Sequence, residues 1–119
     1  MMGNPVGPSR VWLKHENIPG LAMSRSLGDK VAAQCGVVDL PEITEKTLNS
    51  EDKMLIIGTD GVWEFISNTQ AVELVVPYWL DKDIEGACDK LVYEAVSRWE
   101  KSDSSIDDIT CIVIFLNSE

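Results

Sequence analysis

Two apolar runs next to acidic residues constrain the fold of this chain most strongly. Residues 53–59 read KMLIIGT and are followed at once by Asp60, whereas residues 109–116 read ITCIVIFL and are preceded by Asp107 and Asp108. Short apolar runs of this kind, bounded by polar residues, are typical of strands with both faces buried. The sequence therefore predicts two buried strands, each with a carboxylate at one end.

Two helices are predicted between these strands. Ser67 and Gln70 form a capping-box pattern, which predicts a helix from Asn68 to about Val76 that Pro77 helps to end. A second helix is predicted after Asp83, since apolar residues recur there at spacings of three and four. These residues are Ile84, Ala87, Cys88, Leu91, Val92, Ala95 and Trp99.

The first part of the chain carries weaker signals. They predict an irregular segment at residues 1–9, strands at 10–13, 36–38 and 42–48, a turn at 18–20, and a turn or short helix within 20–29. Strands come first, then two helices, then a last strand, without regular alternation. This order favours an α+β fold with a largely antiparallel sheet, and a length of 119 residues suits one domain over residues 1–119.

The charge of the chain is strongly acidic and unevenly distributed. The net charge is −10, and residues 51–119 hold 15 acids against 5 bases. A polyanion is repelled by such a surface, so nucleic acid and anionic membranes are not expected as partners. The acids either keep the protein soluble or hold metal cations, and the composition leaves both interpretations open.

The cysteines and the N-terminal residues bear on the cellular compartment. Cys35, Cys88 and Cys111 are an odd number without a CxxC spacing, which favours reduced thiols in a cytoplasmic or nuclear protein over a disulfide framework or a zinc site. No signal peptide and no transmembrane segment are recognisable. The single histidine, His15, is expected to be a surface or turn residue.

The aspartates at the strand ends are the best candidates for chemistry. Asp60 before Gly61 can be a simple turn, and the Asp107–Asp108 pair a solvated strand entrance. If the two strands are neighbours, however, the carboxylates could converge, and they would then need a proton or a hard cation such as Mg²⁺ or Mn²⁺ between them.

A rival metal motif occurs at residues 81–86. This DKDIEG run resembles the start of a calcium-binding EF-hand loop, with acids at loop positions 1, 3 and 5 and glycine at position 6. The glutamate required at position 12 is replaced by Val92, and the amphipathic helix pattern runs through the supposed loop. The sequence therefore disfavours a calcium site here.

Four ordered blocks resemble the C-terminal part of PP2C-type (PPM family) metal-dependent serine/threonine phosphatases. Residues 20–29, GLAMSRSLGD, are similar to a block with the pattern GLA[MV]SR[SA][LIF]GD, and residues 41–43, PEI, resemble the element that follows it. Residues 57–64, IGTDGVWE, resemble the [ST]DG[LV]W[DE] block, and residues 107–113, DDITCIV, the block before the last strand. Residues 7–12 resemble the upstream segment of plant and protist members.

The resemblance implies a fold and a chemistry. The fold is a sandwich of two antiparallel β-sheets flanked by α-helices, with a Mn²⁺ or Mg²⁺ two-metal centre whose activated water hydrolyses phosphoserine or phosphothreonine in a protein substrate. By motif position, Asp60 and Asp107 correspond to metal ligands. Two neighbouring residues are expected to support these ligands without binding the metal themselves. They are Gly61 and Asp108, a position where many members have asparagine.

The family's N-terminal blocks have no counterpart in this sequence. The missing blocks include the aspartate that bridges both metals, the phosphate-binding arginine and the histidine proposed as general acid, so no catalytic residue can be assigned here, and His15 matches none of them. We therefore expect an incomplete ligand set, weak or no activity of the chain alone, and self-association or pairing with a missing N-terminal portion. The alternative is a non-catalytic fragment or interaction module with a PP2C-like fold.

Overall fold

The computed structural model describes residues 7–116 of the chain. These residues form β1 (Val11–Trp12), β2 (Pro19–Leu21), α1 (Lys30–Ala33), β3 (Met54–Gly58), α2 (Asp60–Trp63), α3 (Asn68–Leu80), α4 (Ile84–Lys101) and β4 (Cys111–Phe115). The chain divides into two compact units, with the boundary between Lys46 and Thr47. The predicted irregular segment at residues 1–9 lies mostly outside the described residues.

The first unit contains a small hairpin and a single-turn helix. β1 pairs with β2 in antiparallel orientation, and the turn between them includes His15, which is exposed as predicted. Gly20 has a φ of 65° and lies against the Trp12 ring, which leaves no room for a side chain. Asp29 caps α1 by accepting a hydrogen bond from the Ala32 amide. The prediction of a turn at 18–20 is wrong, because Pro19 and Gly20 belong to β2.

Two other predictions for the first part of the chain need correction. Residues 42–48 form no strand and are exposed throughout, so their apolar side chains have no sheet to join. Of the predicted strand at 36–38, the structure retains one isolated parallel bridge between Arg25 and Val38. Arg25 also donates to the Leu40 carbonyl at 3.2 Å, which helps to hold this irregular segment.

The second unit is a two-stranded antiparallel sheet packed against two helices. β3 pairs with β4 over five residues, from Met54 opposite Phe115 to Gly58 opposite Cys111. The core lies between one face of this sheet and the helices, and it is made of Val62, Ile66, Ala71, Val75, Ala87, Leu91, Ala95 and Val113. The expected α+β class with antiparallel pairing is confirmed.

Both long helices begin where the sequence predicts. Ser67 and Gln70 form the complete capping box of α3, and the Asp83 carboxylate accepts a hydrogen bond from the Gly86 amide at the start of α4. The predicted end of the first helix is wrong, since α3 continues past Pro77 to Leu80. Proline removes only one backbone donor, and the Pro77 carbonyl still accepts from the Asp81 amide.

Candidate metal centre

The candidate site lies at the end of the β3–β4 sheet where β3 leaves and β4 enters. Because the strands are antiparallel, the last residue of β3 is opposite the first residue of β4, and these are Gly58 and Cys111. The residues just beyond them in the chain, Asp60 on one side and Asp107 and Asp108 on the other, therefore belong to the same end of the sheet. All three aspartates are exposed.

Thr59 joins the two sides of this sheet end. Its amide donates to the Thr110 carbonyl at 3.0 Å, which extends the ladder by one residue beyond β3. Its hydroxyl donates to the Asp108 carbonyl at 3.2 Å and accepts from the Thr110 amide at 3.2 Å. Thr59 stands at the N-cap position of α2 but makes no side-chain cap bond, because its hydroxyl is engaged across the sheet end.

Asp60 is the first residue of α2, a single turn that the sequence analysis did not predict. Its carbonyl accepts from the Glu64 amide at 2.9 Å, which closes the turn. A carboxylate in the first turn of a helix lies near backbone N–H groups that lack intrahelical partners. The strand therefore ends in a helical turn that fixes the backbone from which the Asp60 carboxylate projects.

Gly61 is buried against the opposite side of the sheet end. A Cβ atom at this position would overlap the carbonyl oxygen of Asp108 and would also meet the side chain of Ile109. Only glycine allows the turn after Asp60 to approach the Asp107–Asp108 segment this closely. This close approach is a steric reason for glycine at position 61, and its supporting role toward a metal ligand stays a prediction.

Asp107 and Asp108 make different local contacts, the first through its carboxylate and the second through its backbone. The Asp107 carboxylate accepts a hydrogen bond from the Asp108 amide at 2.7 Å, which orients one of its oxygens toward its own backbone. The carbonyl of Asp108 faces Thr59 and Gly61. The backbone of Asp108 thus contacts the turn that carries Asp60, and a supporting role of Asp108 toward a metal ligand stays a prediction.

Two tryptophans contact the carbonyls around this turn, and sequence reasoning missed both contacts. Trp63 donates from Nε1 to the Gly58 carbonyl at 3.0 Å, and Trp99 donates from Nε1 to the Gly61 carbonyl at 2.7 Å. The sequence signal was limited to the helical spacing that places Trp99 on the buried face of α4. Spacing of that kind predicts burial but does not identify a hydrogen-bond partner.

The oxygen atoms at this sheet end are of the type that binds a hard divalent cation, but the described residues supply too few ligand side chains. Mg²⁺ and Mn²⁺ prefer carboxylate and carbonyl oxygens, which are what this sheet end offers. Residues 7–116 nevertheless contain no group of three or more acidic, histidine or cysteine side chains arranged to hold a metal ion. The described residues therefore do not form a complete metal site by themselves.

The EF-hand-like run at residues 81–86 does not form a calcium-binding loop. Asp83 of the EF-hand-like run caps α4, and Val92 lies within that helix, so the run is a helix start and not a calcium loop. Within residues 7–116, no helix is long and apolar enough to cross a membrane.

Comparisons with known proteins identify the family. The family model described as Protein phosphatase 2C matches residues 8–104, and the chain belongs to this family. Probable protein phosphatase 2C 72 of Arabidopsis thaliana is 41% identical over 113 residues, covering 92% of this chain and 33% of its own length. Probable protein phosphatase 2C 12 of Oryza sativa subsp. japonica is 38% identical over 113 residues, covering 93% of this chain and 28% of its own length.

A solved structure supports the same assignment at the level of the fold. The crystal structure of serine-threonine phosphatase 2C from Toxoplasma gondii matches with a TM-score of 0.71 and 25% identity, covering 80% of this chain and 29% of that chain. The resemblance to plant and protist members is therefore confirmed. The chain spans between about a quarter and a third of the length of the curated relatives it matches.

Proposed function

We propose that this chain is the C-terminal portion of a metal-dependent protein serine/threonine phosphatase domain. The observation that carries the proposal is the pairing of β3 with β4, which puts Asp60 and Asp107 at one end of one sheet. Membership of the protein phosphatase 2C family supports the reaction class, which is hydrolysis of phosphoserine or phosphothreonine in a protein substrate.

In this proposal, Asp60 and Asp107 are ligands of Mn²⁺ or Mg²⁺ at a two-metal centre. Such ions, when bound, lower the pKa of a coordinated water and neutralise phosphate charge. The chain's own contribution is positional. Thr59 and Gly61 hold the Asp60 turn against the backbone of Asp108, so that two distant parts of the sequence, each carrying an aspartate, lie at the same end of the sheet.

The incomplete ligand set implies that the remaining ligands come from elsewhere. Two carboxylates leave most of the coordination positions of an octahedral cation to other donors. We therefore expect the chain alone to bind Mn²⁺ weakly and to turn over little or no phosphopeptide. Full activity requires pairing with the N-terminal portion of a phosphatase domain.

A second candidate function is a non-catalytic module with a PP2C-like fold. The observation that favours it is the open face of the β3–β4 sheet, where Leu55, Ile57, Ile112 and Ile114 are each at least 40% exposed. An uncovered apolar sheet face is suited to association with another protein surface. Self-association through this face would occur with or without metal, whereas catalysis depends on metal and on Asp60.

A chimera distinguishes the two functions. Residues 7–116 replace the matching segment of the Arabidopsis relative, and phosphate release from a phosphothreonine peptide is measured with and without Mn²⁺. The first function predicts Mn²⁺-dependent release that Asp60→Asn and Asp107→Asn each reduce by about 100-fold or more. An Asp81→Asn chimera is the matched control and should keep its activity. Activity that survives Asp60→Asn would contradict the proposed role of that residue.

A further inference from the structure

Trp99 is the contact between α4 and the turn that carries Asp60. The indole is 8% exposed, and its Nε1–H donates to the Gly61 carbonyl at 2.7 Å across 38 residues of sequence. The same ring packs edge-to-face on Phe65, with centroids 4.8 Å apart. One residue of α4 thus contacts both the beginning of the 60–65 segment and its end.

The Gly61 carbonyl requires a donor from outside its own helix. α2 is a single turn, closed by the hydrogen bond from the Glu64 amide to the Asp60 carbonyl. The carbonyls in the last turn of a helix lack intrahelical partners, and a buried carbonyl without a donor is costly. Gly61 is buried, so the Trp99 indole satisfies a group that water does not readily reach.

The neighbouring residue strengthens this attachment. Arg98 donates from Nη1 to the Phe65 carbonyl at 2.6 Å and to Gln70 Oε1 at 2.8 Å, while its Nε contacts Glu94 at 3.0 Å. Two consecutive residues of α4 therefore hold the backbone on either side of the 62–64 segment. The helix fixes the turn from one side, and Asp108 meets Gly61 from the other.

We propose that Trp99 is a positioning residue for the candidate metal centre. Its indole N–H holds the Gly61 carbonyl, and this keeps the Asp60 turn seated against the Asp108 backbone. The consequence for metal binding rests on the proposed function. The effect of Trp99 on the position of the Asp60 turn is independent of that function. Trp99 itself contacts no ligand position and acts only through Gly61.

Trp99→Phe tests this inference, because phenylalanine keeps an aromatic ring beside Phe65 but has no N–H donor. Trp79→Phe is the matched control, since the buried Nε1 of Trp79 has no hydrogen-bond partner in the structure. The readout is amide hydrogen exchange at Thr59 and Glu64, whose amides bond to the Thr110 and Asp60 carbonyls, with Leu91 in the core as the reference for global opening.

The expected result is selective. In Trp99→Phe, exchange at Thr59 and Glu64 accelerates about five- to tenfold relative to Leu91, which corresponds to the loss of one buried hydrogen bond. In Trp79→Phe these ratios stay at the wild-type value. Exchange at Thr59 and Glu64 that is unchanged, or that rises by the same factor as Leu91, would overturn the positioning role.

Two further measurements complete the test. If Trp99→Phe does not fold, the wild-type chain is examined for a scalar coupling across the hydrogen bond from Trp99 Nε1 to the Gly61 carbonyl carbon, whose absence would overturn the inference. Mn²⁺-induced NMR line broadening at Asp60 separates the two proposals. Wild type without such broadening refutes the metal site of the proposed function, whereas the exchange ratios still decide the role of Trp99.

Discussion

The two faces of the β3–β4 sheet have the same kind of side chains but opposite surroundings. On one face Ile56 and Val113 pack toward α3 and α4, and Val113 is 6% exposed. On the other face Ile57 and Ile112 are cross-strand partners and are 48% and 53% exposed. The covered face accounts for the stability of the second unit, and the open face is available to another surface.

The open face departs from what the sequence of an apolar strand leads one to expect. Apolar strands with no charged residue on either face are typical of sheets that are covered on both sides. Here the helices cover one side, and the chain spans between about a quarter and a third of the length of its curated relatives. The open face is therefore suited to association with another protein surface, as the second candidate function requires.

Aspartate substitutions on the two faces should differ most in their effect on the free energy of unfolding. Val113→Asp buries a carboxylate among apolar side chains and should lower the free energy of unfolding by about 4 kcal/mol or more, enough to unfold a marginal unit. Ile112→Asp, one residue away on the open face, should cost about 1 kcal/mol. Urea denaturation followed by circular dichroism measures both.

Equal losses of stability in these two variants would contradict the distinction between the faces. Such a result would mean that the open face is covered in solution by something that excludes water, such as a second copy of the chain. Light scattering on the same samples would then report a dimer.

A substitution at the close contact between Gly61 and the Asp108 carbonyl should have the next largest effect on stability. Gly61→Ala drives a Cβ into the Asp108 carbonyl, a backbone atom that cannot rotate away, and should lower the free energy of unfolding by about 1–3 kcal/mol. Gly58→Ala is the matched control, because its Cβ meets the Trp63 and Val62 side chains at 3.1–3.2 Å and the Trp63 ring can shift. A smaller loss for Gly61→Ala than for Gly58→Ala would argue against the close seating of the turn.

The open face should govern association more than folding. Replacing Leu55 and Ile114, a cross-strand pair on that face, by serine should change the free energy of unfolding by about 1 kcal/mol. The same double variant should lower the apparent mass at high protein concentration in size-exclusion chromatography with light scattering. A wild-type chain that stays monomeric at every concentration would count against self-association through this face.

The pH dependence of Cys111 is the smallest predicted effect. Burial, together with the neighbouring Cys88 thiol, raises the pKa of Cys111 above its ordinary value. The folded chain therefore holds this proton more tightly than the unfolded chain, and the resulting stability is present at neutral pH and is lost as pH rises above the ordinary thiol range. Urea titrations at increasing alkaline pH should show a steeper decline for wild type than for Cys111→Ala.

Cys88→Ala sharpens this test. It removes the thiol neighbour but not the burial, so the pKa of Cys111 should fall only part of the way toward its ordinary value. Iodoacetamide alkylation of Cys111 followed by mass spectrometry should accordingly be somewhat faster in Cys88→Ala than in wild type. An identical alkylation profile would mean that burial alone sets the reactivity.

The elements with strong local signals were predictable, and those that depend on long-range contacts were not. The capping box at Ser67 and the apolar spacing of α4 gave correct helix starts, because capping and periodicity are local. The apolar runs gave β3 and β4, but burial on both faces was wrong for these residues, since a run cannot reveal what covers it. The predicted strand at 42–48 was wrong, because an alternating sequence forms a strand only when a partner strand supplies its backbone hydrogen bonds.

The candidate site was predictable in its residue types and not in its construction. Asp60, Asp107 and Asp108 were singled out by their places beside apolar runs and by motif position, and Gly61 by motif position. Their placement at one sheet end depends on a pairing across about 50 residues that no local pattern encodes. Thr59 and Trp99 were missed for a similar reason. Their hydrogen bonds join segments that are 38 to 51 residues apart in the sequence.

A Mn²⁺ titration of the chain, followed residue by residue as paramagnetic broadening of amide signals, tests whether the sheet end binds a metal ion. We expect the amides of Asp60, Gly61, Asp107 and Asp108 to broaden first, and either Asp60→Asn or Asp107→Asn to remove this selectivity. Broadening that begins at Asp81 and Asp83, or that spreads evenly over the acidic surface, would show that the sheet end is not a metal site.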